Sequence, residues 1–318
     1  MSSNLTNRGD IKFEEVPNGA EVASESEEDM EEDIYSYLID IRQKVMKEFG
    51  INEEKWSNIL QEFMEKAIHT VKPSSFTFKD SIDITKYVKI TLVEYKDTSK
   101  SKYLNGVVIK KSIANKRMSW EIQNPRILLL SNSLGFIEDE EEYMDLDKEI
   151  KQEDRFIQIM VQKIDMVKPN LIFVKEDTSR KAIEALMEKD ITIVTNVKDT
   201  VMLRIGRLTQ TINCPSTNLI ASDFILGKCQ SFKMESLVKK SLNKMVEAVN
   251  TNIIQLDGCL PFLGCTIMLS ADDMNELKLV KHAFKKMLRM SRQLILENEY
   301  YQFFDLVPIH KAGEALTT

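Results

Sequence analysis

From Ile34 onward the apolar positions recur with a helical period. Ile34, Leu38, Ile41 and Val45 are spaced by four, three and four, which gathers them on one helix face, and Gly50 follows as a stop. A second amphipathic helix is predicted from about Glu53 to Val71, with Trp56, Leu60, Phe63 and Ala67 on its apolar side. Pro73 ends it, because the residue before a proline is pushed out of the helical region. The period then changes to two. Tyr87 to Val93 (YVKITLV) alternates large apolar and polar residues and predicts a strand. Asn105-Gly106 before Val107, Val108 and Ile109 predicts a hairpin turn leading into a further strand.

The centre of the chain alternates short apolar runs with helical segments. Ile127 to Leu130 (ILLL), Leu171 to Val174 (LIFV) and Ile191 to Val197 (ITIVTNV) are strands without polar alternation. Between and after them, helices are predicted at about Lys148 to Val167 (stripe Phe156, Met160, Ile164 and Val167), Ser179 to Lys189, and Asp199 to Gln210. Apolar strands separated by helices imply an α/β fold whose sheet is covered on both faces. The last third holds strands near Asn252 to Leu256 and Thr266 to Leu269. A long helix follows from about Asp273 to Asn298, with Leu277, Val280, Phe284, Met287 and Leu294 as its stripe. The segment after it, EYYQFF and onward, reads as irregular.

Length and composition narrow the class. The 318 residues suggest about two domains, and 43% hydrophobic with 29% charged residues is an ordinary globular balance. Residues 1–33 differ: they are nearly free of aromatics and cannot bury enough surface to order themselves, so a disordered acidic tail is expected. Ten acids and no Lys or Arg lie between Glu14 and Asp33, and without them the net charge of -7 becomes +3. Ser24 and Ser26 sit among these acids as phosphorylation sites, although a solubilising tail is the simpler reading. A body so weakly basic, with no RNP motif, finger spacing or arginine-rich run, predicts no nucleic-acid partner. No apolar run of about 18 residues and no apolar leader segment are present, which predicts a cytoplasmic location.

The chemistry-bearing residues form no catalytic set. Cys214, Cys229, Cys259 and Cys265 make no CxxC pair, and with His69, His282 and His310 they do not complete a zinc site, so free thiols and no metal are expected. Gly227-Lys228 runs into Cys229 and lacks the upstream glycine of a phosphate loop. No GxGxxG, GxSxG or protein-kinase signature occurs, so no cofactor is expected either. A Cys265–His282 nucleophile can be drawn but is weak. The acidic run Glu138 to Glu142 reads as a solvated turn. Lys239-Lys240 and Lys285-Lys286 read as solvated faces of a kind that suits anionic lipid headgroups.

Several segments together resemble a known family. Asn105 to Val108, Lys116-Arg117-Met118, Asn124 to Leu130, Ile191 to Val194, Leu226-Gly227-Lys228 and Cys265 to Leu269 resemble, in order and spacing, the apical-domain region of group II chaperonins. Asp80 to Lys89 (DSIDITKYVK), Asn196-Val197-Lys198, Asp257 to Ile267 (DGCLPFLGCTI), Glu276-Leu277 and Val280-Lys281 are more similar to the chaperonin-like module of PIKfyve-type phosphatidylinositol 3-phosphate 5-kinases. The resemblance covers about Trp56 to Leu296. The ATP-binding motifs of the chaperonin equatorial domain are not present, and Lys286 falls where the family's hydrolytic Asp would be, which cannot orient water as a carboxylate does. The kinase domain and FYVE zinc finger of the lipid kinases have no counterpart here.

The resemblance implies an apical-like α/β domain inserted in a mostly helical intermediate- or equatorial-like remnant. The corresponding expectation is a helical and β-hairpin region over 34–123, an apical-like domain over 124–234, a return strand and long helix over 235–300, and an irregular tail over 301–318. Gly106, Gly258, Cys259, Gly264, Cys265 and Thr266 are the expected family motif, with Gly264-Cys265 as a hinge. Residues from about Glu138 to Val167 lie where group II chaperonins carry their lid protrusion. The implied role is a non-catalytic protein-interaction module of a phosphoinositide kinase complex, with scaffold and phosphatase partners on endosomal membranes reached through those partners. The alternatives are a divergent TCP-1/CCT-type chaperonin subunit, which predicts ATP use and chaperonin subunits as partners, and a fragment of an active phosphatidylinositol 3-phosphate 5-kinase.

Overall fold

The computed structural model of the chain describes residues 35–72, 81, 83–95, 97–135, 146–221, 224–239 and 249–304. The acidic tail, Ser24, Ser26, the run 138–142 and the last fourteen positions lie outside them. Six helices are described: α1 over 35–49, α2 (Glu53–Thr70), α3 (Leu146–Val167), α4 (Arg180–Met187), α5 (Asp199–Thr209) and α6 (Met274–Phe303). The strands, in chain order, are β1 (Val88–Glu94), β2 (Lys102–Leu104), β3 (Val107–Ile109), β4 (Glu121–Gln123), β5 (Arg126–Leu130) and β6 (Leu171–Val174). They continue with β7 (Thr192–Val194), β8 (Asn213–Cys214), β9 (Gly227–Lys228), β10 (Ser231–Lys239), β11 (Val249–Asp257) and β12 (Cys265–Ala271).

Helix ends follow from local chemistry. Gly50 adopts φ +61° after α1, and the Ile51 N–H reaches back to the Met46 carbonyl at 3.1 Å, closing the last turn. Asn52 caps α2 by accepting from the Glu54 N–H, and Ser179 caps α4 by accepting from the Ala182 N–H.

The strands make three sheets. The first has the order β1-β12-β2, with β1 and β12 parallel, Val88 beside Cys265 and Glu94 beside Ala271. The second is β3-β11-β10-β4, all antiparallel. The third is β7-β6-β5-β8, all parallel, with β9 added antiparallel to β5. This is the α/β architecture expected. The apolar runs of β5 and β6 are buried on both faces because α3, α4 and α5 cover the sheet.

Two large cores result. One combines the third sheet, α3, α4, α5 and the inner residues of the second sheet, including Phe173 and Phe232. The other joins α1, α2, α6 and the first sheet around Trp56, Phe63 and Phe284. A small cluster of Val93, Leu104, Val108, Ile253 and Met268 connects the first and second sheets. The helices nearest the start of the described chain thus pack with the last one. Trp56 Nε1 donates to the Glu276 carboxylate at 2.6 Å, Lys55 pairs with the same carboxylate at 2.7 Å, and Ser291 Oγ donates to Met64 Sδ at 3.2 Å.

Three expectations are corrected, and one long strand was not expected. Asn105-Gly106 is not a hairpin: β2 pairs with β12 and β3 pairs with β11, so the chain crosses from one sheet to another there. The α3 stripe is Ile157, Met160, Val161 and Ile164, whereas Phe156 is 40% exposed. The stretch after Asn298 stays helical to Phe303. That strand is β10, in which Phe232, Lys233, Met234 and Glu235 alternate as a half-buried strand should.

Candidate functional site

The six motif residues converge on one place, the point where the backbone passes twice between the first and second sheets. One crossing is Asn105-Gly106, between β2 and β3. The other runs from Gly258 through the 3₁₀ turn Pro261–Leu263 to Gly264, between β11 and β12. They are tied by two hydrogen bonds. The Cys259 N–H donates to the Asn105 carbonyl at 2.8 Å, and the Thr266 hydroxyl donates to the Gly106 carbonyl at 2.7 Å. Thr266 is fully buried, so this bond satisfies a hydroxyl that water cannot reach.

The glycines are there for two different reasons. At Gly106 a Cβ would stand 1.9 Å from the Leu256 carbonyl oxygen, so the two crossings touch only because no side chain intervenes. Gly264 has φ +151°, and a Cβ there would stand 2.8 Å from the Tyr87 carbonyl oxygen. Gly258 has φ +69° and would bring a Cβ to 2.2 Å from Gln230 Cβ. Leu256, Tyr87 and Gln230, whose atoms Gly106, Gly264 and Gly258 approach, were not among the expected motif residues. The Asp-Gly and Leu-Gly pairs were the available signal, since a glycine beside an apolar strand marks a close backbone approach.

The thiols nearby are structural. Cys265 is fully buried and its N–H donates to the Tyr87 carbonyl at 3.2 Å. Burial pushes its thiol up to about 12, so at neutral pH it is no nucleophile. Its neighbour Tyr103 has its phenol raised by burial and then by Cys265. Cys229 and Cys259 lie against each other just past the β10–β11 ladder, where the Gln230 N–H donates to the Asp257 carbonyl. The contact with Cys229, together with burial, raises the Cys259 thiol. His282 is exposed on α6, so it does not pair with the buried Cys265. Among the described residues no group of three or more His, Cys, Asp or Glu is placed to hold a metal. Lys286 pairs with Glu48 on α1 at 2.6 Å and stands 6.0 Å from the Phe49 ring centre.

What this arrangement can do is positional. It holds two cores in register through backbone contacts, with no activated nucleophile or acid–base pair among the motif residues.

Comparison with known proteins agrees with this geometry. The model of the TCP-1/cpn60 chaperonin family matches residues 26–301. A putative 1-phosphatidylinositol-3-phosphate 5-kinase of Arabidopsis thaliana is 31% identical over 248 residues, covering 77% of this chain and 15% of its own length. The 1-phosphatidylinositol 3-phosphate 5-kinase of Homo sapiens is 31% identical over 248 residues, covering 78% of this chain and 12% of its own length. The open-state monomer of a group II chaperonin from Methanococcoides burtonii superposes with a TM-score of 0.60 at 18% identity, over 85% of this chain and 61% of that one. The chain therefore spans well under a fifth of the length of these lipid-kinase relatives.

Proposed function

The chain belongs to the TCP-1/cpn60 chaperonin family as a chaperonin-like domain related to phosphatidylinositol 3-phosphate 5-kinases, and from that premise we propose that it works through protein contacts within a phosphoinositide kinase complex. In this reading it scaffolds the kinase with its partner scaffold and phosphatase, in the cytoplasm and on endosomal membranes reached through those partners. Among the described residues no helix is long and apolar enough to cross a membrane.

The observation that carries the reading is the outer surface of α3. Its inner side packs Ile157, Met160, Val161 and Ile164 into the core. Its outer side still presents Phe156 at 40%, Ile159 at 47% and Met166 at 60% exposure. The 3₁₀ turn Thr217–Leu219, which packs beside α3 and adds the exposed Leu219, extends this surface. Large apolar side chains left exposed among polar ones on the outer side of a helix are explained when a partner covers them.

The test is purification of the tagged full chain from its own cells, beside the variant Phe156→Glu/Ile159→Glu, with mass spectrometry of co-purifying proteins. A phosphoinositide kinase, its scaffold or its phosphatase should accompany the parent chain and be depleted from the variant, with the variant's thermal midpoint unchanged. Recovery of chaperonin ring subunits in their place overturns the proposal.

A further inference from the structure

Two thiols meet at the edge of the junction. In the second sheet, β10 and β11 pair with Ser231 beside Asp257. The pairing runs one step further out: the Gln230 N–H donates to the Asp257 carbonyl at 3.0 Å, and a Cβ on Gly258 would stand 2.2 Å from that of Gln230. The next residue outward on each strand is a cysteine, Cys229 on one and Cys259 on the other. Both are buried in the same core. Neighbours across antiparallel strands stand about 4.5–5.5 Å apart at Cα, inside the span of about 4.4–6.8 Å that a disulfide bridges.

The two side chains also touch. The Cys229 S–H donates to the Ser231 carbonyl at 3.5 Å, which leaves its sulfur as the acceptor for the Cys259 S–H. The other two cysteines have different partners: Cys214 bonds to the Ser216 carbonyl at 3.1 Å, and Cys265 bonds to Tyr103. In the resting structure Cys229 and Cys259 serve packing, yet the pair is asymmetric. The hydrogen bond from Cys259 holds the Cys229 thiol below its ordinary value against the effect of burial, while the same contact and burial raise Cys259. Cys229 therefore forms the thiolate of the pair, and the thiolate is the reactive form. Its cover is also thin. Cys229 and Cys259 keep 7% and 5% of their surface exposed, against 1% for Cys214 and 0% for Cys265.

We propose that Cys229 and Cys259 form a peroxide-responsive dithiol whose closure to a disulfide clamps the junction between the two cores. The Cys229 thiolate attacks one oxygen of hydrogen peroxide. An S–O bond forms, the O–O bond breaks, and the departing hydroxide takes up a proton and leaves as water. The Cys259 sulfur then attacks the resulting sulfenic sulfur. The S–S bond forms, the S–O bond breaks, and the hydroxyl leaves as a second water with the Cys259 proton. Two thiols lose two electrons, and one peroxide becomes two waters. The consequence is mechanical. Cys229 follows β9, which is paired to β5 in the third sheet. Cys259 begins the crossing to the first sheet, with its N–H on the Asn105 carbonyl. A bond between them ties the third sheet to the segment that carries the chain back to the first. The site is separate from the α3 surface and does not depend on it.

The test exposes the reduced full chain to hydrogen peroxide at neutral pH. N-ethylmaleimide then blocks the remaining thiols before peptide mapping without reductant. The expected result is a linked Cys229–Cys259 peptide pair, formed at least about tenfold faster than any change at Cys214 or Cys265 and reversed by dithiothreitol. The linked chain should melt about 3–6 °C above the reduced one. In Cys259→Ser, whose hydroxyl keeps the hydrogen-bond donor, oxidation should stop at a Cys229 sulfenic acid that dimedone traps. If that variant fails to fold, mapping of the parent chain decides alone. Linkage that appears only in urea, linkage to Cys214 or Cys265, or separate sulfinic acids at Cys229 and Cys259 overturns the proposal. An unchanged melting midpoint in the linked chain overturns the clamp.

Discussion

Replacing Gly106 by alanine tests the junction directly. The added methyl would stand 1.9 Å from the Leu256 carbonyl oxygen, 2.9 Å from its carbon and 3.3 Å from Asp257 Cα, all of them backbone atoms. Backbone cannot swing aside like a flexible side chain, so the two crossings must separate by more than an ångström. Forcing extra volume into a packed site costs about 1–3 kcal/mol. Separation also stretches the bonds from Thr266 to the Gly106 carbonyl and from Cys259 to the Asn105 carbonyl. A lost hydrogen bond costs about 1 kcal/mol, and a buried hydroxyl left without a partner costs about 1–3 kcal/mol. The sum is roughly 3–7 kcal/mol, which lowers the melting midpoint by about 5–10 °C for a chain of this size. Gly50→Ala is the matching control. Gly50 has φ +61°, but nothing lies within 4 Å of the position a Cβ would take, so only the left-handed backbone is penalised, by about 1–2 kcal/mol. Differential scanning calorimetry with urea unfolding measures both. A Gly106→Ala midpoint within about 2 °C of the parent, or a smaller loss than for Gly50→Ala, would refute the reasoning.

Two further outcomes follow from titrating groups. Burial draws the Asp83 carboxyl upward, but hydrogen bonds from Thr85 and Arg289 outweigh it and leave the group below its ordinary value. Its folded pKa lies below its unfolded one, so its stabilisation is complete above the unfolded value of about 3.9 and is lost as the pH falls through the folded value. Asp83→Asn should therefore flatten the acid limb of the melting-temperature profile below about pH 5 and leave its slope near pH 7 unchanged. At Cys265 the buried thiol should react with iodoacetamide at a mildly alkaline pH only as fast as the native structure opens. Labelling of the native chain at the rate of a free thiol would contradict its burial.

How much of this was legible depended on whether the signal was local. Continuous apolar strands such as Leu171–Val174 announced a covered sheet, because burial on both faces leaves no polar positions. The periodic stripes of α2 and α6 were equally plain, and Trp56, Leu60, Phe284 and Met287 are buried as their spacing required. Asn105-Gly106 misled because the dipeptide encodes a local turn preference, while the pairing of β2 and β3 with different sheets is decided by Thr266 and Leu256, far along the chain. In α3 one stripe position was misassigned: Met160 and Ile164 are buried as expected, but Ile157 takes the place of Phe156, since both are apolar and only the packing against the sheet chooses between them. The two-residue strands β8 and β9 carry no periodicity at all. The motif glycines were visible as glycines, but the atoms they make room for were not.

The two crossings also bear on how such a chain can change over time. Residues 106–258 leave and re-enter the rest of the protein at points joined by a 2.8 Å hydrogen bond, from Cys259 to Asn105. To the helices and first sheet, that whole stretch is one closed loop with fixed ends, and closure cost rises only slowly with the length enclosed. Insertions or deletions well inside the loop, away from Gly106 and from Leu256 to Gly258, leave the reconnection geometry in place. A change inside that loop therefore spares the outer body's own packing around Trp56 and Phe284.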